Sequence, residues 1–330
     1  MATKKGERYW VGFDLGGTKM MAVVYDERFA PVSRARKKTK ASEGAGVVLQ
    51  RIAKLIKQCL DKADVAPQAV AGIGIGCPGP LDLDAGVIIS APNLGFSNVG
   101  IKAMLEKEFK CPVILANDVD IGLYGEYVAG GAQGSRCAVG LFPGTGLGGG
   151  CVYEGMIIRG RKNSCFEIGH IQVLPDGPLC GCGRRGCLEA VSSRLAVSAA
   201  AALAGMRGEA PNLVDAAGMD LQNIRSGALG TAIEAGDTVV EKIVREAARW
   251  IGVGVATAVN LMLPDIVVLG GGMVEAMPEL ILEEVSRSAR SRVMPGFRDQ
   301  YEVVTAKLGD DAGVRGAAAW AQTTVKGAKR

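Results

Sequence analysis

The sequence predicts an α/β protein made of two related halves, and three observations predict it. A strand, a glycine-rich turn and a second strand occur together twice, at 9–25 and again at 137–153. Short apolar runs alternate with segments of helical spacing, the pattern of helices layered on sheets. At 330 residues the chain is also long for one core, so two domains are expected.

The elements follow in order. YWVGFD and MMAVVYD flank the turn LGGTK. Val48, Ile52, Leu55, Ile56, Cys59 and Leu60 share one helical face and predict a helix over 47–63. AVAGIGIG at 69–76 reads as a buried strand and stops at Cys77-Pro78-Gly79-Pro80. A helix is expected at 100–109, then the strand PVILA, then a helix from Ile121 to Ala129. CAVGLF, PGTGLGGG and CVYEG repeat the opening hairpin, and 156–190 reads as loop-rich. Helices are expected at 192–204, 212–218, 225–235 and 237–263, with a buried strand DIVVLGGG at 265–272. A helix from Pro278 to Ser291, a strand near Tyr301 to Ala306 and a helix at 312–323 complete the pattern.

Composition excludes several classes. Hydrophobic content of 48% with 22% charged residues is that of a globular protein, not a disordered one. The net charge of +4 is dispersed; Lys37, Lys38 and Lys40 form a basic run without interleaved aromatics, which reads as a solvated face and not a nucleic-acid surface. The first residues carry no apolar signal core, and the apolar stretch Ile251 to Leu263 is interrupted by Asn260 and too short to span a bilayer. No membrane partner is expected. Nine cysteines, most of them in apolar segments, fit reduced thiols plus one metal cluster better than a disulfide framework, and so a cytoplasmic protein.

Four glycine-rich turns stand out: Asp14 to Lys19, Gly74 to Gly79, Gly144 to Gly150, and Gly270-Gly271-Gly272. Glycine lets a backbone approach a phosphate and turn its N–H groups toward it. Two of them match G-x-G-x-x-G, but a dinucleotide fold needs that motif to open a helix. The loop at 144–150 runs into a strand and the loop at 74–79 into prolines. No G-K-[ST] occurs, which excludes a P-loop. Instead Asp14 can serve Mg²⁺. Gly16, Gly17, Thr18, Lys19, Thr145 and Gly146 can hold phosphate oxygens, and Gly271 and Gly272 an adenine or ribose.

Asn117-Asp118 follows the strand PVILA, where open α/β sheets place ligands. Asp118 reads as a general base for an attacking hydroxyl, or as a helix N-cap. The single histidine, His170, precedes Cys180, Cys182 and Cys187. Three thiols and one imidazole suit a closed tetrahedral zinc site, with Cys165 as an alternative ligand. Glu167 and Glu189 flank this cluster.

In order along the chain, DLGGTK, GIGCPGP, AND, GTGLGGG, EIGH, CGCGRRGCLE and VVLGGG together resemble the ROK family of sugar kinases and sugar-responsive repressors. The resemblance implies an actin-like, ribonuclease H-like ATPase fold with an interdomain active-site cleft. It implies a smaller domain of 1–118 plus about 308–330, and a larger domain of 119–307 holding the zinc loop 165–190. By the same resemblance Asp118 is the catalytic base, and Asn93, Asn117, Asp118, Glu167, His170 and Glu189 bind sugar. His170, Cys180, Cys182 and Cys187 then hold a structural zinc, and Asp14 with the loops at 16–19 and 144–147 serve Mg²⁺ and ATP. APNLGF, AND, EIGH and GCLE are similar to the glucokinase branch, which implies phosphorylation of glucose at carbon 6. Mannose, fructose, allose or an N-acetylated amino sugar are the alternatives. Family repressors carry a helix-turn-helix ahead of this body, and the first strand near Tyr9 leaves no room for one. A homodimer or homotetramer is expected.

Overall fold

The structure is a computed structural model and describes residues 7–328. The chain forms two compact units. The first runs through Gly134, takes in Gly155–Cys165 and resumes from Asp310; the second comprises Ser135–Glu154 and Phe166–Gly309.

In the first unit the hairpin β1 (Tyr9–Leu15) and β2 (Lys19–Tyr25) is extended by β3 (Pro31–Lys38). The helix α1 (Ala45–Lys62) leads to β4 (Val70–Cys77), which is parallel to β1. A small antiparallel sheet follows, made of β5 (Leu81–Asp82), β6 (Val87–Ala91) and β7 (Phe96–Gly100). Then come α2 (Ile101–Phe109), β8 (Val113–Asn117), parallel to β4, and α3 (Asp118–Ala129). The main sheet is ordered β3-β2-β1-β4-β8.

The second unit repeats this plan. β9 (Cys137–Pro143) and β10 (Leu147–Tyr153) form an antiparallel hairpin. β11 (Met156–Ile157) pairs with β10 at the edge of this sheet, and a loop-rich stretch follows. Six helices follow: α4 (Leu188–Ser192), α5 (Arg194–Met206), α6 (Pro211–Ala217), α7 (Ser226–Glu234), the long α8 (Thr238–Met262) and, after β12 (Ile266–Leu269), α9 (Gly272–Ala276). α10 (Pro278–Arg290) and β13 (Glu302–Thr305) complete it. β9, β12 and β13 are parallel neighbours, so β10-β9-β12-β13 matches β2-β1-β4-β8.

The chain then returns to the first unit as α11 (Asp311–Gly327). Alternation along β1 explains the two-layer packing. Val11, Phe13 and Leu15 pack with Val48, Ile52 and Leu55 of α1 on one face. Trp10 and Val23 pack with Val314 and Ala318 of α11 on the other. α11 approaches closely because glycine faces it: a Cβ on Gly12 or Gly74 would lie 1.8 Å from a carbonyl oxygen of α11. α3 meets α11 the same way, at Gly125 and Gly316. That packing puts α3 in the first unit, so the division expected after residue 118 falls instead after Gly134.

Three further features refine the reading of the sequence. The basic run lies in and just after β3, an edge strand in which only Ala35 is buried. Arg34 and Arg36 of this strand bind Asp311 and Asp310 at the start of α11, at 2.5 and 2.6 Å. Charge of this kind also protects an edge from pairing. Second, the glycines at 148–150 are strand, not turn. A Cβ on Gly149 would lie 2.4 Å from Ile168 Cγ2, so the turn carrying His170 rests on a strand surface that glycine keeps flat. Third, Leu188–Met206 has the length and apolarity to cross a membrane. It is not one rod, because Ser193 is extended between α4 and α5.

Candidate functional site

β1, β4 and β8 are parallel, so their carboxyl ends lie on one side of the first sheet. Asp14, Cys77 and Asn117 sit at those ends. The turn after Asp14 is closed by Gly16 N–H donating to the Lys19 carbonyl at 3.0 Å, and Thr39 Oγ1 donates to the Gly16 carbonyl at 2.6 Å. Asn93, in the turn Pro92–Leu94, faces Gly17. Lys19 Nζ lies 2.7 Å from Asp310 Oδ1, so an acid already neutralises this ammonium.

The two readings of Asp118 separate here. Asn117, not Asp118, caps α3: its Oδ1 accepts from the N–H groups of Val119 and Asp120 at 2.8 and 3.4 Å. The helix therefore begins at Asp118, three residues before the expected start. Asp118 occupies the first helical turn, where the macrodipole favours a carboxylate, and its Oδ1 accepts from Val119 N–H at 3.0 Å.

Asp14 sits beside it electrostatically. Burial, followed by the charge of Asp118, raises Asp14 from 3.8 to about 6. Its carboxyl lies against Gly313 of α11, where a Cβ would come within 3.3 Å of Cγ. Because the folded pKa is raised, the folded chain binds the extra proton, and the stability tied to it is present at low pH and lost as pH rises through about 6. By linkage the ionised Asp14 costs roughly 3 kcal/mol above that pH. We predict that Asp14→Asn stabilises the unliganded protein at pH 7.5 relative to pH 5, measured as the shift of the urea midpoint against wild type. An identical difference between variant and wild type at both pH values contradicts the assignment. A bound cation beside Asp14 would remove the same penalty.

In the second unit the turn between β9 and β10 is Gly144-Thr145-Gly146, held by Gly144 N–H donating to the Gly146 carbonyl at 2.9 Å. Glu189 Oε2 accepts from Leu147 N–H at 2.9 Å, and a Cβ on Gly146 would collide with it. On the other side, Arg194 N–H donates to the Gly144 carbonyl at 2.9 Å and Leu195 N–H to the Thr145 carbonyl at 3.4 Å. Gly271 has φ +84°, open to glycine but strained for other residues, and a Cβ there would lie 3.0 Å from the Pro143 carbonyl oxygen. Gly272 follows beside Ser226 at the start of α7. The two glycine segments expected to serve the nucleotide are thus neighbours.

His170, Cys180, Cys182 and Cys187 converge, with all ligand atoms within 4.8 Å of one another. Cys182 Sγ and Cys187 Sγ are 3.6 Å apart, as are Cys180 Sγ and His170 Nδ1. Two sulfurs at about 2.3 Å from zinc in a tetrahedron would be roughly 3.8 Å apart, so the set fits zinc. The backbone N–H of Arg184, with its guanidinium, lowers Cys182 to about 6, toward the thiolate that binds metal. Cys165 is not part of the set; its thiol donates to the Ile158 carbonyl at 3.4 Å. Glu167 is exposed and heads the single turn Ile168–His170, not a longer helix, and its carbonyl accepts from His170 N–H at 2.9 Å.

Sequence reasoning missed Asn117 as a cap, Asp310 as the partner of Lys19, and Arg194. Asn117 carried a signal, since Asn is a strong N-cap residue directly before a helix. Asp310 and Arg194 carried none, because both act through contacts distant in sequence.

Comparison with known proteins agrees along almost the whole chain. A family model described as ROK family matches residues 10–324. The glucokinase of Thermotoga maritima is 34% identical over 324 residues, covering 93% of this chain and 95% of that protein. A ROK hexokinase from Thermus thermophilus superposes with a TM-score of 0.83 at 34% identity, covering 97% of this chain and 99% of that one. A ROK family glucokinase from Streptomyces griseus, solved in complex with glucose and AMPPNP, gives 0.81 at 32% identity over 96% and 100%.

Proposed function

The chain belongs to the ROK family, with the actin-like ATPase fold of its kinases, and we propose that it is a glucokinase, transferring the γ-phosphoryl group of ATP to carbon 6 of glucose. The observation that carries the reading is Asp118 at the carboxyl end of β8, relieved of capping by Asn117 and set near a second carboxylate, Asp14. The oxygen of the sugar's 6-hydroxyl attacks the γ-phosphorus, the bond to the β,γ-bridging oxygen breaks, ADP leaves, and Asp118 takes the hydroxyl proton. A loose phosphoryl transition state depends mainly on position and charge neutralisation, so an ordinary aspartate is base enough.

We assign sugar contacts to Asn93, Asn117, Asp118, Glu167, His170 and Glu189. Carboxylates suit vicinal hydroxyls because each oxygen accepts. Phosphate contacts are assigned to Gly16, Gly17, Thr18, Lys19, Thr145 and Gly146, and the nucleoside to Gly271 and Gly272. Mg²⁺, bound with ATP near Asp14, neutralises phosphate charge. The thiols and imidazole hold a structural zinc: four ligands leave no open position for water. With Nδ1 on the metal side, Nε2 keeps the ring proton as a directed donor for a sugar hydroxyl. A cytoplasmic homodimer or homotetramer is the form we expect.

The hexose is tested by kcat/KM across glucose, mannose, fructose, allose and an N-acetylated amino sugar. We expect glucose among the best. A kinase working well only on another of these would keep the reaction and replace the substrate.

A further inference from the structure

Of the two turns assigned to phosphate, only one brings an unpaired cation. Lys19 is already held by Asp310. The turn Gly144-Thr145-Gly146 contains no charge, but Arg194 at the start of α5 lies against it, and among the described residues Arg194 pairs with no carboxylate. Its Nη2 donates to Thr145 Oγ1 at 2.9 Å.

The backbone shows which way this turn faces. The Gly144 and Thr145 carbonyls both accept from the first amides of α5. In a planar trans peptide the N–H points opposite to its carbonyl. The N–H groups of Thr145 and Gly146 are therefore aimed away from the helix, where a turn's amides can meet an anion. Thr145 Oγ1, accepting from Arg194, has its own proton left to donate. A guanidinium has five N–H donors in a planar fork, and one bond to a neutral hydroxyl leaves most of them and the whole charge available.

We propose that Arg194 is a phosphate ligand of the bound nucleotide, a nucleoside di- or triphosphate, gripping the outer phosphates together with Thr145 and the Gly146 amide. The proposal rests on the kinase reading for the ligand's identity, but its test needs no sugar. Calorimetric titrations with ATP, ADP and AMP are compared for wild type, Arg194→Ala, Arg194→Lys and Thr145→Val. A hydrogen-bonded charge of this kind makes a difference of roughly tenfold or more in affinity. Arg194→Ala should weaken ATP and ADP by about that factor and AMP by far less, with partial rescue in Arg194→Lys and unchanged glucose affinity. If the arginine only props Thr145, Arg194→Ala and Thr145→Val will lose equally for all three nucleotides and lysine will not rescue. That result overturns the proposal, as does ATP affinity within about twofold of wild type in Arg194→Ala. A protein that shows the expected pattern yet never phosphorylates glucose would sink the glucokinase reading and leave this one standing.

Discussion

Asp118→Asn is expected to bind glucose as wild type does and to lose most of its turnover. The side chains are isosteric, and the cap of α3 belongs to Asn117, so the helix start should survive the change. What disappears is the acceptor for the attacking hydroxyl's proton, and removing a positioned general base typically lowers the rate by roughly 10²–10⁴-fold. The loss should appear in kcat, with glucose affinity by calorimetry little altered, because the interaction matters in the transition state. A near-normal kcat would make Asp118 a residue of the helix start and nothing more. Asn117→Ala is the natural control: it should reduce stability by about 1 kcal/mol through the lost cap.

The second large effect should come from removing the metal. The stretch 166–187 contains little regular structure beyond the turn Ile168–His170 and isolated bridges at Gln172–Cys187 and Leu179–Arg185. Such a segment has little apolar burial to offset its ordering, and metal binding then supplies folding free energy directly. Its order reaches further. Cys187 is the N-cap position of α4, and Glu189, in the first turn of that helix, carries the bond to Leu147 N–H. Cys182→Ser, or treatment with a strong chelator, should therefore eliminate bound zinc by metal analysis and lower the melting temperature. Glucose affinity should fall together with them, by roughly tenfold or more given a typical outer-partner effect on such sites. Full glucose affinity in demonstrably zinc-free protein would separate the metal from the sugar pocket.

Much of the fold could be read because it rests on local patterning. The six buried positions of α1 follow from spacing alone, and the repeated hairpins are visible because their glycine turns interrupt apolar runs. What escaped is held by contacts between distant segments. β3 has one buried residue, so no periodicity announces it, and its place depends on Arg34 and Arg36 meeting α11. The short sheet β5-β6-β7 is likewise too brief for a pattern. The glycines at 148–150 looked like more loop, because the need for a flat strand under Ile168 is invisible without the partner. At the site, the metal set was legible from residue type and spacing, and the structure brings those four residues together. Glu189 was legible as an acid near the cluster, but not as the brace of the Gly146 turn.

The central claim is phosphoryl transfer to a sugar hydroxyl, and ³¹P NMR of the protein with Mg·ATP, with and without glucose, tests it most directly. The account predicts glucose 6-phosphate and ADP formed one for one, with no comparable ATP loss when sugar is left out. ADP and inorganic phosphate accumulating at the same rate in both samples, with no sugar phosphate, would contradict it.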